Sequence, residues 1–392
     1  MSKVYDVVIV GGAAHGASVA YHLAADFAFR GRVLLVERDP TFVRAATALS
    51  CGGIRQQFST PVNVSLSLYG VDFLRRAGDL LEVDGDRPDL GLVEGGYLFL
   101  ATAAGAETLR RNHAIQTGLG ADVVHLDAAA LAARFPWLST DGLGAGCYGR
   151  SGEGWFDGYG FAQALRRKAR ALGVELMTGE VAAVATDNGR ATGIRFADGT
   201  RIAAGNVIVA AGTATPRLLA PLGIALPVEA RKRCVFSFAC REALPRLPLL
   251  VDPSGVYVRS EGDIFICGAS PPEDDDPPAT DFDVDHAFFE ETVWPALATR
   301  IPAFAAIRPG RAWAGHYDFN TLDQNAIVGP VPGNPNLLVA TGFSGHGLQQ
   351  APGVGRGLAE LIAHGRYTSL DLTPLGYERV AAGRPLVEAN VV

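Results

Sequence analysis

Residues 4–37 leave the chain little freedom. The apolar run Val4-Tyr-Asp-Val-Val-Ile-Val10 ends at Gly11-Gly12. Ala17, Ala20, Leu23 and Ala24 then recur at helical spacing, and Val33-Leu-Leu-Val36 closes on Glu37. Strand, glycine turn, helix and second strand make a βαβ unit, which belongs to a parallel sheet with helices packed on it. Two later segments repeat the pattern of an apolar strand running into glycine: Val207-Ile-Val-Ala-Ala-Gly212 and Leu337-Leu-Val-Ala-Thr-Gly342. We expect all three strands to lie parallel in one sheet. Each then delivers its loop to the same carboxyl edge, where open α/β sheets bind ligands.

The turn Gly11-Gly12-Ala13-Ala14-His15-Gly16 fits a dinucleotide fingerprint. Such a turn needs glycine for its tightness, for close approach of a pyrophosphate and for packing of helix on strand. The helix N-terminus then offers unpaired N–H groups and its positive dipole end to the phosphates. Ala13 replaces the middle glycine and narrows that gap by one methyl group. Glu37 stands where an acid would accept hydrogen bonds from a ribose. The fingerprint does not separate NAD from FAD, and a glycine turn without nucleotide is the bland alternative.

At 392 residues the chain is too long for one ordinary core, so two domains are expected. A discontinuous nucleotide domain takes residues 1–80, 150–220 and 325–392. The texture between these pieces is different: Leu92–Leu100 and the stretches around Cys234–Ala239, Val256–Arg259 and Asp263–Gly268 look like strands bounded by Gly, Pro and Asp. They point to an α+β substrate domain, 81–149 and 221–324, with a mainly antiparallel sheet. Pro271–Asp285, rich in Asp and Pro, reads as a solvated surface loop, with an interaction site as the lesser alternative. A formal net charge of −7 without a basic stripe argues against nucleic acid. No apolar stretch is long enough to span a membrane. No signal peptide is expected, since Lys3 leads straight into the first strand. The five cysteines form no CxxC pair, so neither a disulfide framework nor a metal site is expected, and a cytoplasmic location is the default.

Two further segments decide the cofactor. Ser50-Cys-Gly-Gly-Ile-Arg-Gln-Gln-Phe58 and Gly342-Phe-Ser-Gly-His-Gly-Leu-Gln-Gln-Ala-Pro352 resemble the flavin-contacting segments of the D-amino-acid oxidase superfamily, which includes sarcosine oxidase, glycine oxidase and dimethylglycine dehydrogenase. The likeness is closer still to a mitochondrial branch linked to assembly of respiratory complex I. It runs through Leu226–Arg233, Asp252–Tyr257 and Trp313–Asn325. The resemblance implies non-covalent FAD, an α/β Rossmann-like domain beside the substrate domain, and oxidation of a C–N bond by hydride transfer to flavin N5. It places Gly11, Gly12, Ala13, Gly16, Glu37, Arg38, Ser50, Gly52, Gly53, Val181, Ala211 and Gly212 with the cofactor. Gly342, Gly345, His346, Gly347, Leu348 and Gln349 join them from the C-terminal turn. Independently, a Gly-Phe-Ser-Gly-His-Gly turn followed by a helix exposes backbone N–H groups that suit the negative charge of reduced flavin. That helix is expected to begin near Pro352.

Arg55 matches an arginine near the flavin ring in sarcosine oxidase; holding the flavin, meeting an anionic substrate and facing the pyrophosphate or solvent are all open to it. His346 packs beside the ring or bonds locally in preference to moving a proton. Tyr257 and Arg259 share one face of a strand by the period of two, pointing either into the substrate cavity or to a domain surface. The substrate-clamping arginine and lysine of sarcosine oxidase fall on Phe58 and Gln349, and the carboxylate arginine of glycine oxidase falls on Tyr317. The lysine that speeds the oxygen reaction falls on Ile266, and the covalent-flavin cysteine on Gly315, with His316 beside it. The expected substrate is an amine or amino acid derivative. The expected electron acceptor is a quinone or an electron-transfer flavoprotein rather than oxygen. An assembly flavoprotein with structural FAD, and oxidation of a hydroxy acid or polyol, are the alternatives.

Overall fold

Strand Val4–Val10 is buried from Val7 onward on both faces, which is why its sequence is a continuous apolar run rather than an alternating one. In the computed structural model, which describes residues 4–27 and 29–389, it pairs in parallel with Val33–Glu37 on one side and Arg201–Val209 on the other. Asn334–Thr341 continues the parallel run beyond Arg201–Val209, and Glu175–Thr178 continues it beyond Val33–Glu37. The three strands expected to be parallel are thus neighbours, in the register Val8, Val207, Leu337. Each ends at a glycine of positive φ, Gly11 (98°), Gly212 (54°) and Gly342 (75°), so three turns open at one carboxyl edge. Ile327–Val331 adds an antiparallel edge strand, and Val181–Asp187 with Arg190–Phe196 extend Arg201–Val209 as an antiparallel ribbon.

Helices Ala14–Ala25, Pro61–Arg75, Gly158–Ala171 and Gly347–His364 pack with one face of this sheet around a common core that includes Ile9, Leu23, Phe73, Phe161 and Val354. A Cβ at Gly355 would stand 2.1 Å from Ser18 Oγ, so the helix that follows the C-terminal turn lies close against the fingerprint helix.

A second eight-stranded sheet runs in the order Ile307–Asn320, Val228–Cys240, Ile264–Gly268, Tyr257–Glu261, Leu249–Val251, Tyr97–Thr102, Leu143–Gly149, Val123–Asp127. Every junction is antiparallel except that between Leu249–Val251 and Tyr97–Thr102. The architecture is therefore the expected one. Two boundaries differ. The strand expected over 92–100 starts at Tyr97, because Gly96 takes φ 88° and Val93 makes only an isolated bridge to Trp155. The C-terminal helix starts at Gly347, not at Pro352, and carries the proline in its interior. Pro352 has no N–H to donate to the carbonyl of Leu348, and the helix bears that loss inside a well-buried stretch.

Candidate active site

The glycine turn is shaped by backbone contacts. A Cβ on Gly11 would meet Ala210 O at 2.2 Å, and one on Gly16 would meet Gly11 O at 1.8 Å. Gly12 donates its N–H to Glu37 Oε2 at 2.7 Å, and Asp39 N–H reaches Glu37 Oε1 at 2.9 Å. The acid is thereby fixed at the end of its strand, with lone pairs left for further donors. Ala13 precedes the helix Ala14–Ala25 without a side-chain cap of its own; Ala14 N–H reaches Thr47 Oγ1 at 3.5 Å, and the other first-turn N–H groups keep their capacity for an anion.

A cavity of about 450 Å³ runs along this edge of the sheet. Glu37, Arg38 and Val181 line it beside the outer strands, and Gly11, Ala13, Ala211 and Gly212 beside the central ones. Ser50, Gly345, Gly347 and Leu348 complete the wall. Gly12, Gly16, Gly52 and Gly342 do not line it. They permit the close packing behind it, as at Gly52, where a Cβ would meet Phe156 O at 2.2 Å.

His15 lines the same cavity, although the sequence marks it only as a spacer in the fingerprint. Its ring stacks on Phe343 with centroids 3.8 Å apart, and burial pushes its pKa down to about 3, so it is neutral. Its Nε2 is buried without a hydrogen-bond partner among the described residues. An orphaned ring nitrogen, two glycines whose Cβ would fill the turn and an uncapped helix N-terminus together fit a dinucleotide.

Ala279, Thr280 and Phe282 line this cavity too, which corrects the reading of Pro271–Asp285 as a purely solvated loop. Asp276 takes two hydrogen bonds from Arg233, at 2.7 and 2.8 Å, with both side chains about nine-tenths buried. Asp281 pairs with Lys232 at 2.8 Å, and Phe282 stacks on His316 at 4.0 Å. Asp276 and Asp281 face cations on the strand Val228–Cys240, so the segment is pinned down there as a flap. His316 is engaged with it, its Nε2 lying 2.6 Å from Asp281 O.

In the C-terminal turn, Gly345 takes φ 95° and lies against Tyr317, whose Cε2 would be 2.3 Å from a Cβ there. Gly342 N–H donates to Asp318 at 2.8 Å. Burial pushes that carboxyl up to about 6 in spite of the backbone donors, and Asp318 lines the large cavity, a residue not singled out from the sequence.

A small cavity of about 40 Å³ opens beside this turn and shares Ser50, Tyr317, Gly345 and Leu348 with the large one. Arg55, Tyr97, Tyr257, Tyr317, His346 and Gln349 surround it, with Gly53 also in the wall. Arg55 is buried, its guanidinium 4.2 Å from the centre of the Phe58 ring and donating to Gln57 O at 2.6 Å. Its backbone N–H donates to Gln349 Oε1 at 2.6 Å. Burial pushes the phenols of Tyr97 and Tyr257 well up and that of Tyr317 up to about 12, so all three are neutral donors. His346 is pushed down to about 4, by burial first and then by the charge of Arg55. Neither of its ring nitrogens has a hydrogen-bond partner among the described residues.

Four of the five catalytic candidates therefore meet here, and Arg259 does not. Its Nε donates to Cys51 O at 3.1 Å and its Nη1 pairs with Glu261, which turns the guanidinium into a third cavity. The period of two puts Tyr257 and Arg259 on one face of the strand, but Cys51 lines both cavities and stands between them. Tyr97 and Glu153 were not read from the sequence. Tyr97 was detectable as an aromatic in a strand segment. Glu153 carries no pattern: it is buried, accepts from Gln56 N at 2.5 Å and Gln57 Nε2 at 2.7 Å, and supports the segment that holds Arg55. Burial pushes it up to about 7.

Residues 6–361 match the profile of the family described as FAD dependent oxidoreductase. The chain is 42% identical to the FAD-dependent oxidoreductase domain-containing protein 1 of Xenopus laevis, over 99% of this chain and 85% of that protein. Its fold is similar to that of L-proline dehydrogenase from P. horikoshii, with a TM-score of 0.85 and 25% identity over 98% of this chain and 100% of that one. It is also similar to glycine oxidase from Geobacillus kaustophilus, with a TM-score of 0.80 and 25% identity over 95% and 98%.

Proposed function

The chain belongs to the FAD-dependent oxidoreductase family, with FAD as its cofactor, and on that basis we propose that it oxidises the C–N bond of a small amine or amino acid derivative. The observation that carries this reading is the small cavity between Arg55, three tyrosines and His346, which opens on the cofactor cavity. Glu37, Arg38 and Val181 would hold the adenosine end, the turn Gly11–Ala13 and His15 the pyrophosphate, and Gly345–Leu348 the ring system. When bound, FAD supplies the acceptor for a hydride from the carbon next to nitrogen.

The residues of the chain have three tasks. They take the amine out of water, which the aromatic walls do by their bulk. They keep it neutral: the fixed positive charge of Arg55 and the absence of a carboxylate from the cavity wall among the described residues disfavour an ammonium ion. They also orient it, through the neutral hydroxyls of Tyr97, Tyr257 and Tyr317. No side chain has to act as a base, because the amine lone pair forms the C=N bond as the hydride leaves, and water then hydrolyses the imine. Arg55 can in addition meet a carboxylate, with Gln349 and Phe58 standing where related enzymes carry a charged clamp. The small volume of the cavity admits the reacting C–N end of a substrate. The test is an anaerobic screen of amines, amino acids and hydroxy acids for loss of flavin absorbance. Bleaching by an amine supports the proposal, and bleaching by hydroxy acids alone overturns it.

A further inference from the structure

The third cavity has no part in the reading above. It is a half-open recess of about 860 Å³ that shares Thr47 and Ser50 with the cofactor cavity and Ser50 and Cys51 with the small one. Three chambers therefore meet around the single segment Thr47–Cys51. The third is of a size that takes an organic molecule of ten or more heavy atoms, whereas the small one admits only a reacting group.

Its wall combines the apolar side chains of Val93, Trp155, Phe156, Phe265 and Ile266 with the buried guanidinium of Arg259. The remainder of the wall is strongly polar, with Asp157, Arg241, Glu242, Arg246, Glu261 and Asp263. Arg259 lies over the Trp155 ring, 5.0 Å from its centroid. Its Nε and Nη1 are bonded, but its Nη2 has no partner among the described residues, so N–H donors remain for an oxygen of a ligand. Arg259 and Ile266 are opposite each other across two antiparallel strands, which joins the donor to the apolar wall.

We propose that this cavity is the site of the electron acceptor, a benzoquinone whose ring lies against the apolar wall and whose carbonyl oxygen accepts from Arg259. The proposal rests on the redox reading above and on an acceptor other than oxygen. A protein carrier does not fit, because Arg259 is only 5% exposed and sits in the wall of a recess. Molecular oxygen does not need so large a chamber. In the step itself the two C=O groups of the quinone gain two electrons and two protons and become O–H groups. Reduced FAD, held as above, would supply both electrons, and the two protons would come from it and from water. The substrate and the acceptor thus approach from different chambers, and neither has to leave before the other binds.

The test uses the FAD-loaded enzyme and 2,3-dimethoxy-5-methyl-1,4-benzoquinone. Calorimetric titration of the oxidised enzyme should show binding. Anaerobic mixing with enzyme photoreduced with oxalate as the electron donor, so that no amine is present, should restore the flavin absorbance. Ile266→Trp puts a bulkier side chain on the wall opposite Arg259 and should weaken binding and slow reoxidation at least tenfold, with flavin content and photoreduction unchanged. Arg259→Met keeps the bulk and removes the donors, and serves if the tryptophan variant fails to fold; it should show the same losses. Binding and reoxidation at wild-type levels in the folded variants would overturn the assignment. So would a photoreduced enzyme that only a protein carrier reoxidises. Failure of the amine reading shows separately, as absence of bleaching by any amine in an enzyme that the quinone still reoxidises.

Discussion

Replacing Asp276 by asparagine should release FAD much faster while leaving the fold intact. The flap that carries Ala279, Thr280 and Phe282 onto the cofactor cavity is held by several contacts, among them Ala279 N–H to Ala230 O at 2.7 Å. Its buried ion pair is that between Arg233 and Asp276, whose side chains are 8% and 10% exposed. Removing one partner of a buried pair costs about 3–5 kcal/mol, because the other charge is left uncompensated. Arg233 keeps one bond, to Lys232 O at 2.8 Å, and an opened flap lets water reach it, so the lower end applies. A loss of about 3 kcal/mol in flap closure raises the open fraction about a hundredfold, and the dissociation rate rises with it if FAD leaves through the open form. Asp281→Asn is the internal control. Lys232 and Asp281 are 30% and 50% exposed, so water screens their pair and its loss changes the rate only slightly. The assay follows the rise of flavin fluorescence after dilution of the loaded protein. Equal rates for Asp276→Asn and wild type would refute the reasoning, and so would a release from Asp281→Asn as fast as from Asp276→Asn.

Three further outcomes are expected. Gly11→Val should give colourless protein, since a Cβ there would stand 2.2 Å from Ala210 O at a φ of 98°; full FAD occupancy measured by absorbance would contradict this. Glu153 keeps a proton in the folded state up to a pH of about 7, whereas in the unfolded chain it loses it near 4.5. Its contribution to stability therefore falls as pH rises through that window, by roughly 3 kcal/mol in all, and thermal melts of Glu153→Gln from pH 5 to 8 should lack that decline. Photoreduced enzyme should react slowly with air-saturated buffer, because the charge of Arg259 is matched by Glu261. Ile266→Lys adds a positive charge to the same cavity and should speed the reaction; no change in an FAD-replete variant would count against it.

What could be read in the sequence was local. The run Val4–Val10 and the turn after it predict each other, because a strand buried on both faces must be apolar throughout and a helix can follow it closely only through glycine. The two later strands repeat that pattern, and the sheet joins them in register. The C-terminal helix begins before its proline, although proline favours a first turn when a helix has the choice. Here the turn Gly342–His346 delivers the chain in helical geometry five residues before Pro352, and packing against the helix Ala14–Ala25 offsets the lost bond.

The flap and the fate of Arg259 show why the rest was hidden. Asp276 and Asp281 read as solvated because nothing near them in sequence is basic; their partners, Arg233 and Lys232, lie more than forty residues upstream on a strand that only the folded sheet brings beneath them. Composition describes the segment correctly and says nothing of what it faces. For Arg259 the rule of alternation was sound, and it shares a face with Tyr257. A face is not a cavity, however: Cys51, two hundred residues earlier, crosses that face and divides it. The division has a chemical consequence. Tyr257 stands among neutral donors beside Arg55, in a chamber of reacting-group size, while Arg259 stands at the wall of a chamber large enough for a second organic reactant. One strand therefore serves two sites, and residues two apart on it should respond to different perturbations: Tyr257→Phe to the amine that reduces the flavin, Arg259→Met to the acceptor that reoxidises it.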